Sequence, residues 1–287
     1  MSTYCSPLRY PGGKNCIFPF MGRIFYENDL IGIRYAEPYA GGAGLALRLL
    51  FEGYVEHIYI NDLDVSIYSF WIAILNRADE FCEWVENVEV SVENWGVYKN
   101  VQNNSSNQDY FELAKSTFFL NRTNVSGIIK GGMIGGKEQK GKYKLNVRFN
   151  RQDLVDRIRK IADAKQHISV SNLDGLHFIS KLNRSKEDIF IYLDPPYFNK
   201  GSDLYMNSYS REDHTKLSEY VRKMRNRWMI SYDKSEFILK LYAYTERKIS
   251  YRLSQSASNK VGNEILIFSS EIDYLNSVKA LNSPICI

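Results

Sequence analysis

At 287 residues, with 44% hydrophobic and 14% aromatic content, the chain holds enough apolar mass for one large domain or two smaller ones, which excludes global disorder. A net charge of +4 neither requires nor forbids a polyanionic partner. No apolar run reaches membrane-spanning length, Met1–Lys14 lacks a signal-peptide pattern, and Cys5, Cys16, Cys82 and Cys286 lack the spacing of a zinc site or a disulfide framework. The expectation is a reduced, cytoplasmic protein with no membrane association and no metal.

The chain opens on a Pro/Gly-rich loop, Ser6 to Lys14, followed by a short amphipathic helix over Ile17 to Ile24. Lys14 at a helix start opposes the helix dipole, so an anionic partner would explain it; a flexible arm is the other reading. Arg34 to Ala36 is a strand, Glu37-Pro38-Tyr39-Ala40-Gly41-Gly42-Ala43-Gly44 a glycine turn, and Leu45 to Phe51 a helix. Such a turn brings backbone against a nucleoside at a helix N-terminus. It lacks both the G-x-G-x-x-G spacing and a P-loop Lys-Ser/Thr, and Glu37 would repel a pyrophosphate but pair with an ammonium, which favours a methionine-nucleoside. The strand His57–Ile60 ends at Asn61-Asp62-Leu63-Asp64, where Asp62 is the expected ribose-hydroxyl acceptor and Asp64 the better helix cap.

Residues 65–153 differ in character. They start with a helix over Val65 to Leu75, pass through a polar loop from Asn103 to Asp109, and form a second helix from Tyr110 to Leu120. The Gly/Lys-rich stretch Lys130 to Lys144 predicts a mobile loop or hairpin. From Lys99 to Arg151 there are ten Lys/Arg against three Asp/Glu, a surplus of seven that suits either a solvated surface or phosphate contact. This block is expected to be an insertion.

The α/β pattern resumes with a helix over Arg151–Ala164, a strand over Ile168–Ser171, and a helix from Gly175 to Leu182 preceded by Asp174, which is either a helix cap or a contact for a cofactor adenine. Ile189 to Leu193 is an apolar run that reads as a buried strand. Pro195 and Pro196 end it, because neither can donate to a ladder and each fixes φ. Asp194 therefore stands at the carboxyl end of a strand, where open α/β sheets bind ligands. Its carboxylate and the Pro195 carbonyl suit two hydrogen bonds from an exocyclic amine, and Tyr197 suits stacking on the base that bears it. An ordinary Pro-Pro turn is the bland alternative. Asn199 to Tyr209 is read as a loop over the site, Ser210 starts a helix with capping-box character running to about Met224, and Trp228–Asp233 is the next strand. Glu246–Leu253 and Glu264–Ser269 form a closing strand pair around a polar loop from Ser254 to Asn263, long enough to suggest ligand contact.

Together, Leu8-Arg9-Tyr10-Pro11-Gly12-Gly13-Lys14, the glycine turn, Asn61-Asp62, Asn121-Arg122 and Asp194-Pro195-Pro196-Tyr197 resemble the Dam-type (D12 class, alpha-order) DNA adenine methyltransferases, in the family's order over nearly the whole chain. The resemblance implies a Rossmann-like S-adenosylmethionine-dependent methyltransferase fold. Residues 1–64 and 154–287 would form the catalytic domain and 65–153 an inserted, mainly helical target-recognition domain. It implies methylation of the exocyclic N6 of a flipped adenine in double-stranded DNA by a monomer or weak dimer. Tyr10, Lys14, Glu37, Ala40, Gly42, Asp62 and Asp174 would bind the cofactor; Asp194, Pro195, Pro196 and Tyr197 would be catalytic; Asn121, Arg122, Lys130, Lys137 and Lys142 would contact DNA. Two positions depart from the family: Tyr10 stands where relatives often carry Trp, and Ser126-Gly127 where they commonly read Asn-Gly, so no target sequence is carried over. The alternatives are an N4-cytosine DNA methyltransferase, an RNA adenine methyltransferase, and an inactive DNA-binding relative. A carbon-5 cytosine enzyme needs a Cys after Pro, which is absent.

Overall fold

The computed structural model describes residues 5–10, 13–198, 209–254 and 261–287. The loop expected over the site from Asn199 lies outside them apart from Tyr209, as does the middle of the polar loop after Ser254.

Among the described residues one mixed sheet has the order β3-β2-β1-β4-β5-β7-β6-β8. Its strands are β1 (Ile33–Glu37), β2 (Val55–Asn61), β3 (Ile168–Ser171), β4 (Ile189–Leu193), β5 (Trp228–Asp233), β6 (Lys248–Ser254), β7 (Val261–Phe268) and β8 (Ile285–Cys286). The first five in that order are parallel, and β7, β6 and β8 add antiparallel to β5 and to one another. The strand after β1 in sequence lies on one side of it and β4 on the other, so the order reverses between β1 and β4. In such sheets the crevice at that reversal is the ligand site.

Both faces are covered, which is why β4 is apolar throughout: all five of its residues are buried. Side chains alternate between two cores. Ile189, Ile191 and Leu193 join Ile230, Ile265 and Ile267 under α8 (Gly175–Arg184), α9 (Arg211–Val221) and α10 (Glu236–Leu241). Phe190 and Tyr192 join Tyr35, Met229, Leu266 and Phe268 on the other face, under α1 (Phe18–Glu27) and α2 (Gly44–Phe51). That second core continues without a break into α3 (Val65–Asn76), α4 (Ala78–Asn87), α6 (Tyr110–Thr123) and α7 (Arg151–Asp163). A further helix, α5 (Val92–Asn103), lies on α6 and buries none of its residues fully.

Local signals explain several boundaries. Asp64 caps α3 by accepting from the Ser66 N–H at 2.8 Å, and Ser210 with Asp213 forms a complete capping box at α9. Helix α9 stops at Val221, short of the expected Met224, because the next turn tightens to bonds from Lys223 N to Tyr220 O and from Met224 N to Val221 O. The Gly/Lys-rich stretch is a stapled turn. Asn124 bridges Met133, and the Gln139 amide donates to the Ile134 carbonyl at 2.9 Å and accepts from Leu145 N at 2.7 Å.

Candidate active site at the carboxyl edge of the sheet

Alternation along the strands places one row of polar side chains on the α1 face of the sheet. Glu37 ends β1, Asp194 follows β4, Ser231 sits in β5, Glu264 in β7 and Tyr251 in β6, each with the parity of the apolar residues in that face's core. Lys14, in a 3₁₀ turn (Lys14–Ile17) before α1, reaches down into this row and is only 5% exposed.

The Lys14 ammonium lies 3.1 Å from Asp194 Oδ1 and 3.6 Å from Glu264 Oε2, and donates to the Tyr197 hydroxyl at 2.5 Å. Tyr197 passes its own proton to Glu264 Oε1 at 2.6 Å, and Tyr251 donates to Glu264 Oε2 at 2.7 Å. Ser231 donates to Asp194 Oδ1 at 2.6 Å and is itself bonded to Tyr192 at 2.9 Å. Both polar contacts of Asp194 fall on Oδ1. Its Oδ2 makes no bond to a described group. The turn that follows is pinned by Phe198 N donating to Asp233 Oδ1 at 3.0 Å.

Lys14 thus has the anionic partner its position called for, and that partner belongs to the protein: Asp194, with Glu264 behind it. Tyr197 differs from the open stacking platform expected of it. It is 5% exposed, its ring lies under Lys14 at 4.9 Å, and its hydroxyl is committed between Lys14 and Glu264. Glu264, Ser231 and Asp233 were missed by sequence reasoning. For Glu264 a signal existed: a carboxylate two residues before Leu266 and four before Phe268 falls on the buried face of a strand and must find partners there.

Around the turn after β1, Gly41 takes φ +47°, and a Cβ there would lie 2.5 Å from the Tyr10 ring. A Cβ on Gly42 would stand 3.1 Å from Tyr10 Cβ. The close approach that the glycines permit is therefore to Tyr10, which covers the turn. Ala40 N is tied to Asn61 O at 2.9 Å. The Asn61 amide closes the other side, donating to Pro38 O at 3.0 Å and Leu173 O at 2.9 Å. Asp62 accepts from Gly41 N and Asp64 N, both at 2.9 Å and one on each carboxylate oxygen, so each oxygen keeps a lone pair for a hydroxyl. Asp174 is exposed and caps α8 through bonds from Leu176 N at 3.0 Å and His177 N at 3.1 Å.

Burial raises Glu37 and Asp194 in the row and Asp62 beside it. Glu37 is pushed up to about 8, first by burial and then by Asp194, against hydrogen bonds from Tyr35 and Ala46 N–H and the pull of Lys14. Burial lifts Asp62 to about 7 despite its two N–H donors, and burial lifts Asp194 despite Lys14. Glu37, Asp194 and Glu264 thus share one described neighbouring cation, Lys14. Carboxyl groups that outnumber their one cation and are held towards neutrality by burial, with a hydroxyl acceptor beside them, fit a cationic nucleoside such as S-adenosylmethionine, whose charge would draw them into their ionised form.

The expected DNA contacts divide. Asn121 is 1% exposed: its amide donates to Arg9 O at 2.7 Å and Gly127 O at 2.9 Å, and its oxygen accepts from Arg9 N at 2.7 Å. Arg122, 8% exposed, donates to Arg148 O at 2.7 Å and Pro7 O at 3.3 Å, and burial beside Arg9 and Arg157 pulls its pKa down. In this structure both side chains are occupied inside the protein, locking residues 7–9 onto the end of α6. Lys130, Lys137 and Lys142 are exposed, and Lys130 acts electrostatically on Asp64 and Lys99.

Residues 10–254 match the D12 class N6 adenine-specific DNA methyltransferase family. The chain is also similar to a protein of Paramecium bursaria Chlorella virus NC1A named type II methyltransferase M.CviBI, at 24% identity over 242 residues, which cover 80% of this chain and 85% of that protein.

Proposed function

The chain belongs to the D12 class N6 adenine-specific DNA methyltransferase family, and from that premise we propose how its residues carry out site-specific methylation of adenine in DNA. The observation that carries the reading is the asymmetric anchoring of Asp194, with Oδ1 held by Lys14 and Ser231 and Oδ2 bonded to no described group.

When bound, S-adenosylmethionine supplies an electrophilic methyl group on a sulfonium. Glu37 answers its positive charge, Asp62 takes the ribose hydroxyls, and Tyr10 with Ala40 and Gly42 closes the turn over it; Asp174 borders the adenine side while capping α8. Asp194 Oδ2 and the Pro195 carbonyl accept the two hydrogens of the flipped adenine's amine and aim its lone pair. Pro196 keeps the turn rigid, and Tyr197 walls the crevice with its hydroxyl fixed. Holding two reactants in line supplies about 7–11 kcal/mol of the barrier. No side chain acts as a covalent nucleophile.

Residues 65–153 serve as the target-recognition region, and within them the exposed basic turn carrying Lys130, Lys137 and Lys142 rides the phosphates of double-stranded DNA. Among the described residues no helix is long and apolar enough to cross a membrane. The reading places the enzyme in the cytoplasm as a monomer or weak dimer. The type II designation of the viral relative supports sequence-specific modification of the kind that accompanies a restriction enzyme. The test is transfer of methyl label from S-adenosylmethionine to duplex DNA, followed by hydrolysis to nucleosides. Label is expected in N6-methyladenine; label in methylcytosine, on RNA alone, or nowhere would overturn the reading.

A further inference from the structure

We propose that Glu264 is a positioning residue for methyl transfer: by sharing Lys14 with Asp194 and fixing Tyr197, it allows Asp194 to accept the proton that the methylated amine must lose. This rests on the role given to Asp194 above.

In the transfer the amine's lone pair forms the new N–C bond while the S–C bond breaks, its electron pair staying on sulfur. The nitrogen then bears one proton too many. Asp194 Oδ2, already within the amine's hydrogen bond, takes it and becomes neutral. That event would strand a buried ammonium at Lys14, a costly arrangement if nothing else balanced it. Glu264 stands 3.6 Å from the same ammonium, so Lys14 passes from two carboxylates to one and stays paired. Hydrogen bonds from Tyr197 at 2.6 Å and Tyr251 at 2.7 Å, one on each carboxylate oxygen, hold Glu264 in place beside Lys14 while Asp194 cycles. The proton leaves for water as the products depart. The titratable groups facing the pair are Lys14 and Cys16 from the turn before α1, Tyr35 and Glu37 from β1, Tyr192 from β4, Tyr197 from the turn after it, and Tyr251 from β6.

The experiment is the pH dependence of single-turnover methylation for wild type, Glu264→Gln and Glu264→Asp, with donor and DNA affinities measured alongside. Glu264→Gln is expected to lower the plateau rate about tenfold or more and move the acidic limb down by about one pH unit, with both affinities within about twofold of wild type. Glu264→Asp keeps the charge, so its limb stays near the wild-type position although its rate falls. A carboxyl-carbon NMR titration of Asp194 without donor should show the same downward displacement in Glu264→Gln. An unmoved limb in Glu264→Gln, or equal displacement in both variants, overturns the inference. Should Glu264→Gln fail to fold, Tyr251→Phe is read in its place: removing one hydrogen bond loosens Glu264 beside Lys14 and should move the limb in the same direction by less, and no movement overturns the inference. Activity retained in Asp194→Ala defeats the underlying reading, whereas an inactive Asp194→Ala with an unmoved limb in Glu264→Gln defeats this inference alone.

Discussion

Two regions of this protein solve opposite problems with polar side chains. At the carboxyl edge of the sheet, Lys14, Asp194, Glu264 and their tyrosines form a closed, desolvated circuit in which almost every polar atom has a protein partner and Oδ2 of Asp194, bonded to no described group, is the atom proposed to meet the ligand. In the stretch from Asn121 to Arg148, the amides of Asn121, Asn124 and Gln139, the first two buried, hold backbone to backbone, and apart from the buried Arg122 the charges stand outside in water. The difference teaches where rigidity is needed. A group that must meet a reacting atom is fixed by charge in a low-dielectric setting, where misplacement is costly. A surface that follows a phosphate backbone needs only its frame fixed and keeps its lysines mobile.

Four experiments would break or sharpen that contrast. The largest effect is expected from Asp194→Ala, a loss of roughly 10³-fold or more in single-turnover methylation with donor affinity nearly retained by calorimetry. Next, the triple change Lys130→Ala, Lys137→Ala, Lys142→Ala should weaken DNA binding and reduce the slope of log affinity against log salt by about 3, with the turnover rate at saturating DNA intact; an unchanged slope would remove these lysines from the interface. Third, Asn121→Ala should destabilise the fold by about 3 kcal/mol in urea denaturation, since it strips partners from Arg9 and Gly127 backbone groups. A neutral result there would mean that the polar frame is dispensable. The smallest effect concerns Glu37. With its pKa at about 8 before the donor binds, a cationic donor must expel its proton, so donor affinity should rise about tenfold between pH 7 and pH 9 with proton release visible in calorimetry. The sign for stability is opposite: the folded donor-free protein holds this proton more tightly than the unfolded chain, so folding stability falls as pH rises from about 4.5 to about 8. Glu37→Gln should abolish both trends.

Much of the sheet could be read from the chain because each parallel strand is a run of apolar residues closed by a polar turn, and Ile189–Leu193 with its two prolines shows this most plainly. The helices α4 and α5 were not named in advance. Helix α5 buries no residue fully, so it carries no apolar stripe to detect. The site was legible where a carboxylate ends a strand, as at Glu37, Asp62 and Asp194. It was illegible where function depends on distant partners: the separation of Glu264 from Lys14, or the backbone of Arg9 that consumes Asn121, is set by tertiary packing. Asn121 and Arg122 show the same limit from the other side. Polar residues at the end of a helix invite a surface reading, and only the fold reveals the carbonyls that absorb them.

Arg9 is laced by Asn121 and Asn124 to the region proposed to read DNA, and Lys14 is plugged into the proposed reaction centre only five positions later. A span that short can stretch to about 18 Å at most, so it behaves as a short tether between the two halves of the enzyme's work. Any cargo that drags Arg9 farther than the slack allows must also tug the ammonium beside Asp194. Docking on a wrong stretch of duplex and failing to fire would then be one mechanical event, transmitted along a few peptide bonds.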